Sequence, residues 1–498
     1  MVRIQMNAAV ANPIASPVGN LIGSASANAG ERLVLIQLRM AIACVVLGLV
    51  SGVLAVLHYV PELSPGMNEA GLGLTRTRPI HTTLLSLWIY GASVAVIYHY
   101  LAGRGGGLDR GDLRRFWFHT GCWLLAGVGI LITLAMGIST GREYAEFHPV
   151  FSALLLCGWI AFAWTFLKRL RLGFWEQPVY VWFWSVGVLY FVYTFIEFHA
   201  YLLPSVHEQP LRDLQLQWKS CGTLVGSFNF LVYGSLSYVA EKVSGDRRYA
   251  QSRVAFALFG VGCLNSFTNY AHHTYHLPQS ALVKWIAFVV SMLEIVILLR
   301  LFYDIGKSLR HARGTGPGHP AAPFLVSAKW WTAAMLFVSM VISVPNLNSI
   351  IHGTHVVTGH AMGTELGIDS MVLFAAITFL LAQRWQGSSA VMARLGGIAT
   401  RNGLVALNVA AAALIGWLLA SGTAHGWSRY HGEPPPTWVD LRWIVFPLVG
   451  GAVAVASLFL LLRWLPLLFG RAAEASVGEE VRSPQVESMA GAGPRSHR

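Results

Sequence analysis

Charge is scarce in this chain. Only 12% of its 498 residues are Asp, Glu, Lys or Arg, about half the ~25% usual in soluble domains. With 55% hydrophobic residues beside so little charge, a disordered chain and a coiled coil are both excluded. Cysteine is scarce too, with Cys44, Cys122, Cys157, Cys221 and Cys263 the full set. No two form a CxxC, and no CxxCH is present to attach haem covalently. That rules out a secreted disulfide scaffold. These thiols read as small buried apolar side chains. The N-terminal stretch is rich in Ala, Asn and Ser and lacks the apolar core of a signal peptide. No repeat with a period of about 20–50 residues stands out.

Long apolar runs are abundant. A membrane-spanning helix needs roughly 20 mainly apolar residues. Twelve segments qualify: 34–60, 79–102, 116–138, 148–168, 178–204, 218–241, 252–273, 281–304, 326–350, 354–383, 404–422 and 439–465. The expected fold class is an all-α integral membrane protein with twelve transmembrane helices. Residues 1–33 and 466–498 flank the membrane domain at 34–465 and are expected to be disordered.

The formal charge of +12 then has an explanation. One set of span ends carries Arg32, Arg104, Arg110, Arg114, Arg115, Lys168, Arg169, Arg247, Arg310, Arg384, Arg394 and others. The opposite set carries chiefly Arg76, Arg78, Arg142, Arg212 and Arg429. The positive-inside rule places both termini in the cytoplasm. Nucleic acid drops out as the reason for the charge.

Ionisable groups inside a bilayer are costly and usually mark function. His81 opens the second span. His272 and His273 end the seventh, and His352, His355 and His360 start the tenth. Topology gathers all six in the outer third of the membrane. One histidine near an interface is usually a satisfied polar residue. Six at one depth point to metal or haem ligation. Glu294 lies mid-span among apolar residues. It reads as a proton-path carboxylate or ion-pair partner, or as a metal ligand or proton donor beside the histidine pair. Glu365 and Asp369 share a face of the tenth span at i, i+4. They suit a proton or water path, or an interhelical hydrogen bond.

Several motifs now stand together: Arg78-Pro79-Ile80-His81-Thr82, Ala271-His272-His273, His352-Gly353-Thr354 and Gly359-His360-Ala361-Met362. In this order and at matching depth they resemble subunit I of the haem–copper oxidase superfamily. The chain is most similar to the large (cytochrome b) subunit of bacterial nitric oxide reductases. Gly141-Arg142-Glu143-Tyr144-Ala145-Glu146 resembles that branch's outer-loop motif, and Ser291-Met292-Leu293-Glu294 its SxLE motif. The resemblance covers residues 34–465.

The resemblance implies a low-spin haem b ligated by His81 and a high-spin haem b ligated by His360. It assigns a non-haem iron (or copper) to His272 and His273, with Glu294 as further ligand or proton donor. Glu143 matches a residue that binds a structural calcium, and Glu146 an acid linked to proton entry. The implied setting is the bacterial inner membrane. The implied partner is a membrane-anchored cytochrome c subunit or another electron-donor subunit.

Two departures matter. The family's third metal-binding histidine falls on Gly222, and the glutamate one turn on falls on Gly226. Cys221 adjoins the vacant position but points about 100° away on a helix. The second low-spin haem ligand, a histidine in the family, is Met362 here. His/Met ligation raises a haem's potential. The resemblance also implies a tyrosine one to two turns before the histidine pair in those oxygen-reducing relatives most like this chain, and Asn265, Ser266, Phe267 and Thr268 stand there instead. The function implied is reduction of two NO to nitrous oxide and water. Two rivals remain: a non-catalytic haem protein that binds NO or carries electrons, and an oxidase-like enzyme for another small substrate.

Overall fold

The computed structural model describes residues 17–104, 107–170, 174–268, 272–310 and 318–470. These residues form helices and no strands. The main helices are α1 (Pro17–Leu57), α2 (Leu74–Ala102), α3 (Arg110–Ala135), α4 (Pro149–Arg169), α5 (Val179–Phe198) and α6 (Pro210–Ser244). They continue with α7 (Arg253–Thr268), α8 (Ala281–Arg310), α9 (Ala322–Ser343), α10 (His355–Arg384), α11 (Ile398–His431) and α12 (Arg442–Phe469). Neighbours in sequence pack as antiparallel pairs: α1 on α2, α3 on α4, α5 on α6, α7 on α8, α11 on α12. Helix α12 returns against α1 and closes the bundle.

Each expected span has a helix, yet among the described residues ten, not twelve, are long and apolar enough to cross a membrane. The two that fall short are α6 and α7. Small polar residues such as Ser220, Ser227, Ser235 and Ser237 dilute α6 and are buried against neighbours. Helix α7 is only 16 residues long. Helix α1 is already helical at Pro17, well ahead of the expected start at 34. Residues 1–16 and 471–498 lie outside the described residues.

Local chemistry sets the helix ends. Asp109 caps α3 by accepting from the Asp112 main-chain N–H at 2.8 Å, and the Asp112 side chain accepts from the Asp109 N–H at 3.0 Å. This reciprocal pair satisfies two of the donors a helix start leaves free. Aromatic rings fill the interior. The Trp159 and Phe191 rings stack at 4.3 Å, and Tyr90 meets Phe191 edge-on at 4.9 Å, which joins α2, α4 and α5. Large apolar side chains such as Leu125, Val289, Trp330 and Leu448 face outward. Only a lipid surround makes that arrangement favourable over so many helices.

The bundle has two ends. One holds the 136–148 loop and the starts of α2, α6 and α10. The other holds the α2–α3 connection and the end of α10, where Arg384 pairs with Glu31 of α1. Helix α10 carries a π-helical stretch, Gly363–Asp369, between two α-helical parts. Such stretches are rare and concentrate at functional sites.

Candidate haem-binding site

Residues near the loop end of α2, α6, α7 and α10 build the site. His81 lies in the second turn of α2. Its Nδ1 is 2.8 Å from the Gly48 carbonyl of α1. A carbonyl can only accept, so Nδ1 carries the proton and Nε2 the lone pair. That tautomer is the one a metal-ligating histidine needs. Gly52, one turn on along α1, makes room for the ring: a β-carbon there would stand 2.7 Å from His81 Nδ1.

His272 and His273 sit in a tight turn beyond α7, with ring centroids 4.2 Å apart. His360, from α10, is within electrostatic reach of both. His352 joins them. Its ring centroid is 4.4 Å from that of His276 and 6.4 Å from that of Trp218. His352 lies outside the spanning helices. Burial, with the nearby His276 and Arg429 charges, pushes its imidazole down to about 4. Among the described residues His272 Nδ1, His360 Nδ1 and His352 Nε2 are buried without a hydrogen-bond partner. Orphaned nitrogens of this kind call for a bound group.

The six histidines expected at one depth therefore divide. His272, His273, His352 and His360 gather. His81 stands apart against α1. His355 goes elsewhere and packs edge-on against Phe446 of α12 at 5.4 Å. His276 takes its place in the cluster, a residue that depth counting along helices overlooked because it lies in a turn. Trp218 was overlooked as well. Its ring lies parallel to that of His273, at 5.0 Å and 2°. It stands one turn before Gly222 on α6, so an indole packs beside the position the family gives to a third histidine.

The residues expected to hold haem are compatible with that role. His81 presents a free Nε2, and His360 is buried with Nδ1 unpartnered. Met362 packs partly buried against the main core. Among the described residues no three His, Cys, Asp or Glu side chains converge where they could hold a metal ion. The Glu294 side chain lies outside the described residues. Cys221 does not supply the lost ligand, since its thiol points to the Glu143 carbonyl at 3.7 Å.

The 136–148 loop bonds to three of the helices that carry the site. Arg142 pairs with Asp213 of α6 at 2.7 Å, and Gln217 donates to the Glu143 carbonyl at 3.2 Å. Arg78 of α2 pairs with Glu146 at 2.7 Å and faces Glu143 at 3.5 Å. The Arg78 guanidinium thus stands beside Glu143, the acid that the resemblance gives to a calcium ion. Glu146 is 2% exposed. Burial pushes its carboxyl above the usual range, against the opposing pull of Arg78 and Thr82. Tyr144 has φ 64°, the left-handed region, and its hydroxyl donates to Glu365 of α10 at 3.1 Å.

Comparison with known proteins agrees with this geometry. Residues 32–472 match the family model for cytochrome c and quinol oxidase polypeptide I. Cytochrome c oxidase subunit 1 of Rhodobacter capsulatus is 22% identical over 350 residues, covering 68% of this chain and 65% of that protein. The chain thus spans somewhat less than two thirds of that relative's length. A cytochrome c oxidase subunit 1 homolog from Agrobacterium tumefaciens (strain T37) is 23% identical over 410 residues, 78% of this chain and 73% of that one. A haem–copper terminal oxidase solved by cryo-EM as a dimer shares the fold, with TM-score 0.68 and 14% identity over 89% of this chain and 84% of that one. With apolar helices on this scale and a family match across nearly its whole length, the chain is a multi-pass membrane protein that belongs to the haem–copper oxidase subunit I superfamily.

Proposed function

We propose that this chain is a haem b redox subunit of nitric oxide reductase type, reducing two NO to nitrous oxide and water. The observation that carries this reading is the Gly141–Glu146 loop. It is bonded to α2, α6 and α10 at once, and these helices carry His81, Trp218 and His360. Helix α7 adds support. No tyrosine occurs along Arg253–Thr268, where the oxygen-reducing relatives place theirs.

His81 and Met362 would hold the low-spin haem, and His360 the high-spin one. Haem held by these residues would supply one-electron transfer and a binding place for a diatomic. The chain's own residues do the rest. Gly48 fixes the His81 tautomer. Arg78 neutralises Glu143 and Glu146 at the loop face. Trp218 fixes the plane of His273. The described residues do not complete a non-haem metal site, and no step here depends on one. All twelve helices would cross the membrane, with the small polar residues of α6 sheltered by its neighbours. Both termini would face the cytoplasm of a bacterial inner membrane. Electrons would come from a membrane-anchored cytochrome c subunit or another donor subunit at the loop face.

A second reading is oxygen reduction, favoured because the relatives above are cytochrome c oxidase subunits. Gas-consumption assays on the purified complex with an artificial donor separate the two. Haem-dependent NO consumption without comparable oxygen consumption supports the proposal. Oxygen consumption with no NO turnover, or neither activity in haem-loaded protein, refutes it.

A further inference from the structure

We propose that Glu365 and Asp369 form a buried acid pair that stores a proton inside the bundle, filled from the loop face through the Tyr144 hydroxyl. The proposal deepens the redox reading above, because reducing a buried cofactor draws in a compensating proton.

Three observations carry it. The first is the state of Asp369. It is 0% exposed, and neither carboxylate oxygen has a hydrogen-bond partner among the described residues. An ionised carboxylate with no donor at such a place is prohibitively costly. A structural interhelical bond would have left Asp369 a partner. The second is its surroundings. Glu365 accepts from the Tyr144 hydroxyl, and Asp369 has no hydrogen-bond partner among the described residues. Neither acid makes an ion pair with a lysine or arginine among the described residues, so a proton is the counter-charge these residues leave open.

The third is the link to the loop face. The Tyr144 hydroxyl donates to Glu365 Oε1 at 3.1 Å. Tyr144 is the one non-glycine residue with positive φ among the described residues. Such a conformation costs of the order of 1–3 kcal/mol and persists only where the surroundings impose it. Here they do: Arg142 and Glu143 anchor the loop to α6, and Glu146 anchors it to α2. The acids themselves lie in the π-helical stretch, where the regular ladder is interrupted and Ser370 Oγ donates to the Glu365 carbonyl at 2.8 Å.

The transfer moves one proton and no electrons. The Tyr144 O–H bond breaks as an O–H bond forms on Glu365. A proton from water at the loop face remakes the tyrosine O–H. The proton on Glu365 passes one helical turn inward to Asp369.

Infrared spectroscopy of the purified full chain at neutral pH tests the store, whether or not haem is bound. The proposal expects a protonated-carboxyl C=O band that shifts in D2O and is lost in Asp369→Asn. Glu365→Gln should shift or remove it, and Glu365→Asp should restore it. Absence of the band from wild-type protein, or its persistence in both Asp369→Asn and Glu365→Gln, overturns the proposal. Stopped-flow proton uptake with a pH-indicator dye tests the route in haem-containing protein. Tyr144→Phe should slow uptake on reduction roughly tenfold or more with the haem spectrum unchanged. Uptake at the wild-type rate in Tyr144→Phe overturns the route. Protein without haem would defeat the functional reading, and the infrared result would still decide the acid pair.

Discussion

Tyr144 donates its hydroxyl proton to Glu365 at 3.1 Å across a sequence separation of 221 residues. This one bond ties the Gly141–Glu146 loop to the helix that supplies His360 and Met362. Tyr144→Phe leaves a buried carboxyl without its donor. Losing one partner of a buried hydrogen bond costs about 1–3 kcal/mol. Thermal unfolding followed by circular dichroism in detergent should show a lowered Tm. An unchanged Tm would mean that the bond contributes nothing to holding the loop.

Arg78 and Glu146 form the second anchor, at 2.7 Å. The acid is almost fully buried and the arginine about half exposed, so removing the arginine harms more than removing both. Arg78→Ala should destabilise the protein by about 1–3 kcal/mol by leaving a buried acceptor without its charged donor. Adding Glu146→Gln should recover much of the loss. Strict additivity of the two substitutions in a double-mutant cycle would contradict this coupling.

The opposite end of the bundle has a pH-sensitive clamp between α3 and α4. Lys168 bonds to Asp109 at 2.8 Å, and Arg169 pairs with Asp112. The Lys168 hydrogen bond, with the Asp112 main-chain N–H, holds the Asp109 carboxyl down to about 2 against an ordinary 3.8. A depressed acid stabilises the fold above its unfolded value, and that contribution disappears as pH falls through the folded one. Stability should therefore drop between about pH 4 and 2. Asp109→Asn should start lower and show a shallower drop over the same window. Identical acid slopes for the two proteins would exclude this clamp.

The apolar runs made the helices legible, because 20 or so apolar residues have few alternatives to crossing a membrane. His272, His273 and His360 were legible for a related reason: chain direction fixes depth. Depth did not fix lateral position. His355 shares its depth with His360 but faces Phe446 and α12, and His276 in the turn after α7 replaces it. The long start of α6 was hidden because Asp213 and Gln217 are polar, and their partners, Arg142 and the Glu143 carbonyl, lie in a distant loop. Trp218 was hidden because sequence alone cannot show two rings becoming parallel.

Helix α11 approaches α10 closely at one point. A β-carbon on Gly422 would overlap the Val356 main-chain nitrogen, so backbone rather than a flexible side chain would have to yield. Gly422→Ala should displace the first turns of α10 and with them His360. Overpacking of this kind costs about 1–3 kcal/mol. Lower thermal stability together with a perturbed haem absorption spectrum is the expected outcome. A spectrum and Tm like wild type would show that α10 is not positioned by this contact.

Haem content per chain, measured as the pyridine haemochrome on wild type, His81→Ala and His360→Ala, tests the central claim most directly. The account predicts two b-type haems in the wild type and the loss of one in each variant. The haem lost from His81→Ala should be the low-spin one, and that lost from His360→Ala the high-spin one. A wild-type protein without haem, or a His360→Ala protein that keeps both, would contradict it.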